Sequence, residues 1–334
     1  MHLKTMSRRN FLIGASALGA ASIMGMARTA SAEPPPEIAR IRLVDIGAIC
    51  FAPQFVAEYF LRLEGFSEVE YVEVRNSIPA TLSKSADFAM FGGPSILPAI
   101  DKGLRVSVVA GLHEGCWELF ARRPIDSISE LRNRKIAITA LGGVEHVWLS
   151  SILAYVGMDP RTQVEWITTG RFGDAKNLYL DGRADAFFAF PPEPQELRAN
   201  NVERVIMNTT IDRPWSQYFC CLLGGRNEFI ENYPIATKRA LRAILKAADV
   251  CSQEPERAAR VLVEGGWEPR YDIALEVLNT LSYDRWRTDN PEDSIRFHAL
   301  RLHEVGMIKS TPQEIIDRGT NFSFLNDLKK ELKA

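Results

Sequence analysis

Two spacings of apolar residues alternate along the first two thirds of the chain. Residues 41–46 (IRLVDI) form a β-rich run broken by Gly47 and Ala48, and over 53–63 the apolar positions Phe55, Val56, Tyr59, Phe60 and Leu63 follow helical spacing as far as Gly65. The same plan returns at 135–141 (KIAITAL): Gly142 and Gly143 break the run, and Val147, Trp148, Ser151, Ile152 and Tyr155 make one helix face ended by Gly157. A second pair of strands, 86–94 (ADFAMFGGP) and 184–193 (ADAFFAFPPE), is introduced each time by Ala-Asp and stopped by small or proline residues. Between these pairs the pattern predicts a strand over 69–74 and a helix over 77–83 in the first copy, and a strand over 164–168 and a helix over 174–180 in the second. The order β-α-β-α-β is therefore predicted twice, with Ile41 matched to Ile136 and Gly47 to Gly142. After residue 223 only helices are predicted, over 235–251, 255–263, 273–278, 293–305, 312–318 and 324–332.

Four elements recurring in one order imply two homologous lobes. Alternating strands and helices imply an α/β fold with mainly parallel sheets covered on both faces, and in such sheets ligands sit beyond the carboxyl ends of the strands. The glycine and proline breaks mark those ends. A helical tail of this length is expected to pack back on one lobe and cross to the other.

The first residues obey a different rule. Residues 7–12 (SRRNFL) place two arginines before an apolar run over 11–26, and Ala30-Ser31-Ala32 supplies small residues for cleavage. This resembles a twin-arginine signal peptide over 1–32, cleaved near Ala32. The run is too short and too rich in glycine and alanine for a membrane span. The first cysteine is Cys50, so no lipid anchor is expected at the new terminus, and a soluble exported protein points to the periplasm.

Composition narrows the remaining choices. With 334 residues, 46% hydrophobic and 25% charged, the chain is globular and long enough for about two domains with cores of their own, so its five cysteines need not be staples. The net charge of -2 becomes -6 without the leader, 36 basic against 42 acidic residues, because Lys4, Arg8, Arg9 and Arg28 leave with it. No basic field exists for nucleic acid or anionic lipid. Metalloprotease, CxxC, nucleophile-elbow and phosphate-loop signatures are all absent from the sequence, and no cofactor, metal or catalytic residue is expected.

The leader, the paired halves, FGGPSI at 91–96, ITALGG at 138–143 and the helical tail together resemble an ABC-transporter periplasmic solute-binding protein. The pattern is similar to the nitrate, sulfonate, taurine and thiamine-precursor binders of the NMT1/THI5-like group. The resemblance implies a type II periplasmic-binding-protein-like fold: lobe I from 38–125 and 218–334, lobe II from 126–217, crossings near 120–125 and 215–223, and a cleft closed by hinge motion. It also implies a monomer whose partners are a small-molecule ligand and the ABC permease and ATPase, with membrane contact only through the permease.

Six strand-end loops then supply the candidate pocket: 48–51, 92–95 and 115–118 from lobe I, and 142–146, 170–172 and 190–193 from lobe II. The residues proposed to meet ligand are Ala48, Phe51, Gly92, Gly93, Ser95, Trp117, Glu118, Gly142, Gly143, Glu145, His146, Arg171, Phe190 and Glu193. Glycines let backbone approach closely, and loops that open helices offer free N–H groups. Glu114, Glu118, Glu145 and Glu193 outnumber Arg171, with His113 and His146 able to titrate. That balance favours a small polar or heteroaromatic ligand, stacked between Trp117 and Phe51 or Phe190, while Arg171 keeps a sulfonate or nitrate open. His146 has an equally good reading as a surface histidine, and Cys220-Cys221 as small buried strand residues. The alternative function is an enzyme on the same bilobal fold. The thiamine-pyrimidine synthases that this group resembles carry CCCFC, of which Phe219-Cys220-Cys221 is a faint echo; His113, Cys116, Glu118 and His146 would then be the acid-base candidates.

Overall fold

In a computed structural model of the protein, which describes residues 33–74, 78–171, 173–202 and 204–333, ten strands form two five-stranded sheets. The leader predicted over 1–32 lies outside the described residues. The strands are β1 (Arg40–Asp45), β2 (Glu68–Glu73), β3 (Phe88–Gly92), β4 (Val106–Glu114), β5 (Glu118–Ala121), β6 (Lys135–Ile138), β7 (Glu165–Thr168), β8 (Ala186–Ala189), β9 (Val205–Asn208) and β10 (Phe219–Arg226). The first sheet has the order β2-β1-β3-β10-β4 and the second β7-β6-β8-β5-β9. Three strands in each are parallel, as the repeated plan predicts. The fourth position is filled by a strand arriving from the other lobe, β10 in the first sheet and β5 in the second, antiparallel to both neighbours. The sheets are thus mixed rather than mainly parallel.

The repeat has a shared contact at its root. Asp87, at the head of β3, donates its backbone N–H to the Arg42 carbonyl at 2.8 Å and accepts the Arg42 N–H on its carboxylate at 3.0 Å. Asp185, at the head of β8, makes the same pair with Lys135, both bonds 2.8 Å. Each Ala-Asp therefore pins the start of one strand to its neighbour. The registers pair Leu43 with Phe88 and Ile136 with Ala186, so Leu43, not Ile41, is the counterpart of Ile136. A slip of two keeps every side chain on its face, which is why apolar pattern alone could not detect it. The two aspartates differ in surroundings: the Asp87 side chain is 3% exposed and also accepts from the guanidinium groups of Arg42 and Arg226, whereas Asp185 is half-buried. Asp87→Ala should cost roughly 3 kcal/mol and Asp185→Ala about 1 kcal/mol, read as shifts of the urea midpoint. Equal costs would mean that the arginines add nothing.

The first crossing lies at 115–117, earlier than the expected 120–125, because Glu118 through Ala121 already pair with β8 and β9 of the second sheet. The second runs over 209–218. Thr209 ties the two together: its Oγ1 accepts from the N–H groups of Cys116 (3.1 Å) and Trp117 (2.9 Å), while its own N–H donates to the Trp117 carbonyl.

The tail is helical, as its periodicity predicts, and Pro234–Gln253, Pro255–Glu264, Pro291–Glu304 and Pro312–Gly319 all begin on proline, whose missing N–H costs nothing in a first turn. Pro234–Gln253 packs on the Ala52–Val56 helix of the first lobe, and Pro291–Glu304 reaches Val144–Tyr155 of the second. No helix of the described residues is long and apolar enough to cross a membrane.

Candidate functional site

The strand ends of the two sheets face one another across an empty volume of about 300 Å³. Ile46, Ala48, Phe51, Ile78 and Gly92 line it from the first lobe; Val144 and Phe190 line it from the second, with Trp117 at the crossing. The thiols of Cys50, Cys116 and Cys221 complete the lining. The cleft is nearly shut, with room for little more than one ordered water.

Five of the sequence-proposed residues, Ala48, Phe51, Gly92, Trp117 and Phe190, are in this lining. Trp117 stacks on Phe188 (4.7 Å, 20°) and meets Phe190 at 4.8 Å, so these aromatics pack on each other instead of leaving a slot between them. Gly93 is buried and does not line the cleft, and the Ser95 hydroxyl donates to the Gly92 carbonyl at 2.6 Å, closing a turn. Glu118 is held by Arg198 (2.8 and 2.9 Å), which also reaches Glu276, so its charge is spent within the fold. Gly142 and Arg171 are exposed and Gly143 is partly so; Phe172 of the same loop set lies outside the described residues. His146 accepts the Gly142 N–H on Nδ1 at 3.0 Å and sits edge-on to Trp166, so it locks its own loop, and burial lowers its pKa.

Glu145 and Glu193 behave differently from surface acids. Glu145 is 5% exposed; Thr139 donates to Oε1 at 2.6 Å, Oε2 is buried without a partner among the described residues, and burial raises the carboxyl pKa. Glu193 is pushed up to about 8, first by burial and further by the Glu145 charge, against the pull of Lys176. Neither carboxyl lines the cleft, although Glu193 follows the lining residue Phe190 by three positions and Glu145 follows Val144 directly. Glu114, also raised, to about 7, by burial, is paired with Arg285 of the tail. Of the acids expected to repel an anion, Glu114 and Glu118 are thus paired with arginines distant in sequence, and burial favours the neutral forms of Glu145 and Glu193.

Six lining residues are missing from the sequence-proposed set: Ile46, Cys50, Ile78, Cys116, Val144 and Cys221. Cys50 and Cys116 lie inside loops already selected, and only a preference for polar or aromatic contacts passed over them. For Cys221 no local signal exists. The pairing of β10 shifts register on both sides of Cys221, and this bulge brings the sulfurs of Cys220 and Cys221 within 3.8 Å of each other, both toward the crossing. Around these thiols burial pushes Cys50 up to about 11. Burial works against a charged His113, but the Cys221 and Cys50 sulfurs outweigh it and hold the histidine well above its ordinary value.

The lobes meet behind the cleft. A Cβ on Gly92 would stand 2.9 Å from Trp148 Nε1 and 3.0 Å from Val144 Cγ2, both on the second lobe. His298 of the tail packs edge-on to Trp148 at 4.6 Å, and its Nδ1 lies 2.9 Å from the Ser151 hydroxyl. Burial drives His298 down to about 3, from 6.5 when free. A histidine depressed in this way contributes stability that is complete above pH 6.5 and disappears as pH falls toward 3. Stability should therefore drop by on the order of 3–5 kcal/mol across that window, and His298→Gln should flatten this part of the pH profile measured by urea unfolding. An unchanged slope would place the titration elsewhere.

Two mixed five-stranded sheets, crossed twice and closed on a cleft at their strand ends, define the periplasmic-binding-protein fold. The chain belongs to the NMT1/THI5-like family, whose model matches residues 60–258. Similar solved structures include a protein from Bordetella bronchiseptica RB50 (18% identity, TM-score 0.73, 90% of this chain and 100% of that one). The periplasmic nitrate-binding protein NrtA of Synechocystis PCC 6803 is 17% identical (TM-score 0.71, 90% of each chain). The periplasmic aliphatic sulphonate-binding protein SsuA of Escherichia coli is 16% identical (TM-score 0.63, 86% of this chain and 94% of that one). No curated protein sequence matches the chain.

Proposed function

We propose that the protein is the solute-binding component of an ABC importer, capturing a small uncharged heteroaromatic or weakly polar molecule and presenting it in the periplasm to a membrane permease and its ATPase. The observation that carries this reading is the cleft itself: two lobes joined by two adjacent crossings, with a lining that is apolar apart from three thiols. Two crossings side by side form a hinge, and closure then buries the solute. Membership of the family supports it, as do the nitrate- and sulphonate-binding neighbours. The solute class departs from theirs because the lining is apolar apart from the thiols and no basic side chain lines the cleft among the described residues.

The leader over 1–32 is part of this proposal, since a periplasmic role requires export. An enzyme on the same fold is the competing reading. Native mass spectrometry of the exported chain, followed by calorimetry with pyrimidines, other small heteroaromatics, nitrate and alkanesulfonates, separates them. The expected result is one neutral heteroaromatic molecule bound per chain and recovered unchanged. Tight binding of nitrate or a sulfonate would overturn the solute class, and conversion of the bound molecule would overturn the binding role.

A further inference from the structure

The floor of the cleft holds a group of side chains that solute capture does not require. Cys50, His113, Cys116 and Cys221 each bring one sulfur or ring nitrogen into a cluster in which all four atoms lie within 4.8 Å of one another. They come from three separated segments: the turn after β1, the end of β4 with the first crossing, and the bulge of β10. None is more than 4% exposed.

The histidine is oriented for this cluster. Its Nδ1 lies 3.2 Å from the backbone carbonyls of Glu114 and Gly115, which can only accept, so Nδ1 carries the hydrogen. In the neutral ring Nε2 then carries the lone pair; it is buried and has no hydrogen-bond partner among the described residues. A ring held through Nδ1–H to a carbonyl, with Nε2 directed at thiols, is the arrangement by which proteins orient a metal-binding imidazole. If the cluster were ordinary packing, the orphaned nitrogen would be a standing cost.

We infer that Cys50, His113, Cys116 and Cys221 form a binding site for a thiophilic four-coordinate metal ion of the zinc type, set in the floor of the cleft. Three sulfurs and one imidazole suit a soft or borderline ion with tetrahedral preference. At a metal–sulfur distance of about 2.3 Å, tetrahedral donors stand about 3.8 Å apart, so the cluster needs only small side-chain rotations to close on an ion. Binding displaces one proton to solvent from each of the three thiols, and one from the imidazole where it is charged, and the divalent charge offsets the thiolates in this buried site. Because the same three cysteines line the cleft, the ion would sit in its floor with all four positions taken by the protein. The competing arrangement is a disulfide between Cys116 and Cys220, whose sulfurs are 3.0 Å apart.

The test uses the full chain purified under reducing conditions with zinc, then dialysed. Elemental analysis should give about one zinc per chain, and cobalt(II) in its place should show sulfur-to-metal charge-transfer bands with the visible bands of a tetrahedral site. Cys221→Ser and His113→Ala should lower retention at least tenfold, while Cys220→Ser and Cys251→Ser keep it. The cobalt spectrum needs no variant, so the inference stays open to refutation if a substitution prevents folding. Wild-type chain that retains no zinc and gives no cobalt–thiolate bands, or whose mass shows two hydrogens lost to a disulfide that excludes metal, overturns it. Retention that survives both Cys221→Ser and His113→Ala overturns the ligand assignment. Metal content is read without solute, so failure here is separate from failure of the solute-binding reading.

Discussion

Gly115→Ala should be the most destabilising single methyl addition at the crossing, costing roughly 3–5 kcal/mol. Gly115 has φ +48°, a region that costs an L-residue about 1–2 kcal/mol. A Cβ there would lie 2.4 Å from Thr210 Cα and 2.6 Å from Thr210 N. Both are backbone atoms of the second crossing, so no side chain can swing aside. The two crossings would have to separate, breaking the bonds from the Cys116 and Trp117 N–H groups to Thr209 and displacing Cys116 from the cleft floor. The urea midpoint measures the cost. A loss below about 1 kcal/mol would mean that the crossings part easily and that they do not form a tight hinge.

Gly92→Leu should act on closure rather than on folding. Gly92 has φ -62°, which any residue adopts, so its small size matters only for the space across the cleft. There the added carbons would meet Trp148 and Val144 of the facing lobe. The wedge opposes the closed form by about 1–3 kcal/mol, an overpacking cost that an open form avoids. Solute affinity should fall roughly 10- to 100-fold and the radius of gyration by small-angle scattering should increase, while the unfolding midpoint of the ligand-free chain stays near that of the wild type. Unchanged affinity and radius would show that the lobes close without this contact. The contrast with Gly115 is physical: one glycine is required by its backbone angle and a backbone neighbour, the other by a side chain on a body that can move.

Much of the fold was legible because it is built from local periods. The helix Asp174–Leu180 falls where the apolar spacing puts it, and the tail helices follow their proline starts and amphipathic faces. The doubled Ala-Asp was visible too, and the paired bonds of Asp87 and Asp185 give its reason. The strands that exchange between lobes were harder. β5 carries the same apolar alternation whichever sheet receives it, so only its pairing with β8 and β9 shows that the chain has already crossed.

The candidate site divides along the same line. Ala48, Phe51, Gly92, Trp117 and Phe190 could be placed in the lining because strand ends and their loops are local features. The charge of the site could not. Glu118 looked available until Arg198, 80 residues on, was found against it, and Glu114 until Arg285 was. The cysteines show the limit most clearly. Two repeated βαβαβ halves, their small-residue strand ends and a helical tail each follow from residues near one another in the chain. The convergence of Cys50, His113, Cys116 and Cys221 does not. Their meeting depends on a turn, a crossing and a bulge on three separate segments, and no spacing along the chain encodes the distance between them.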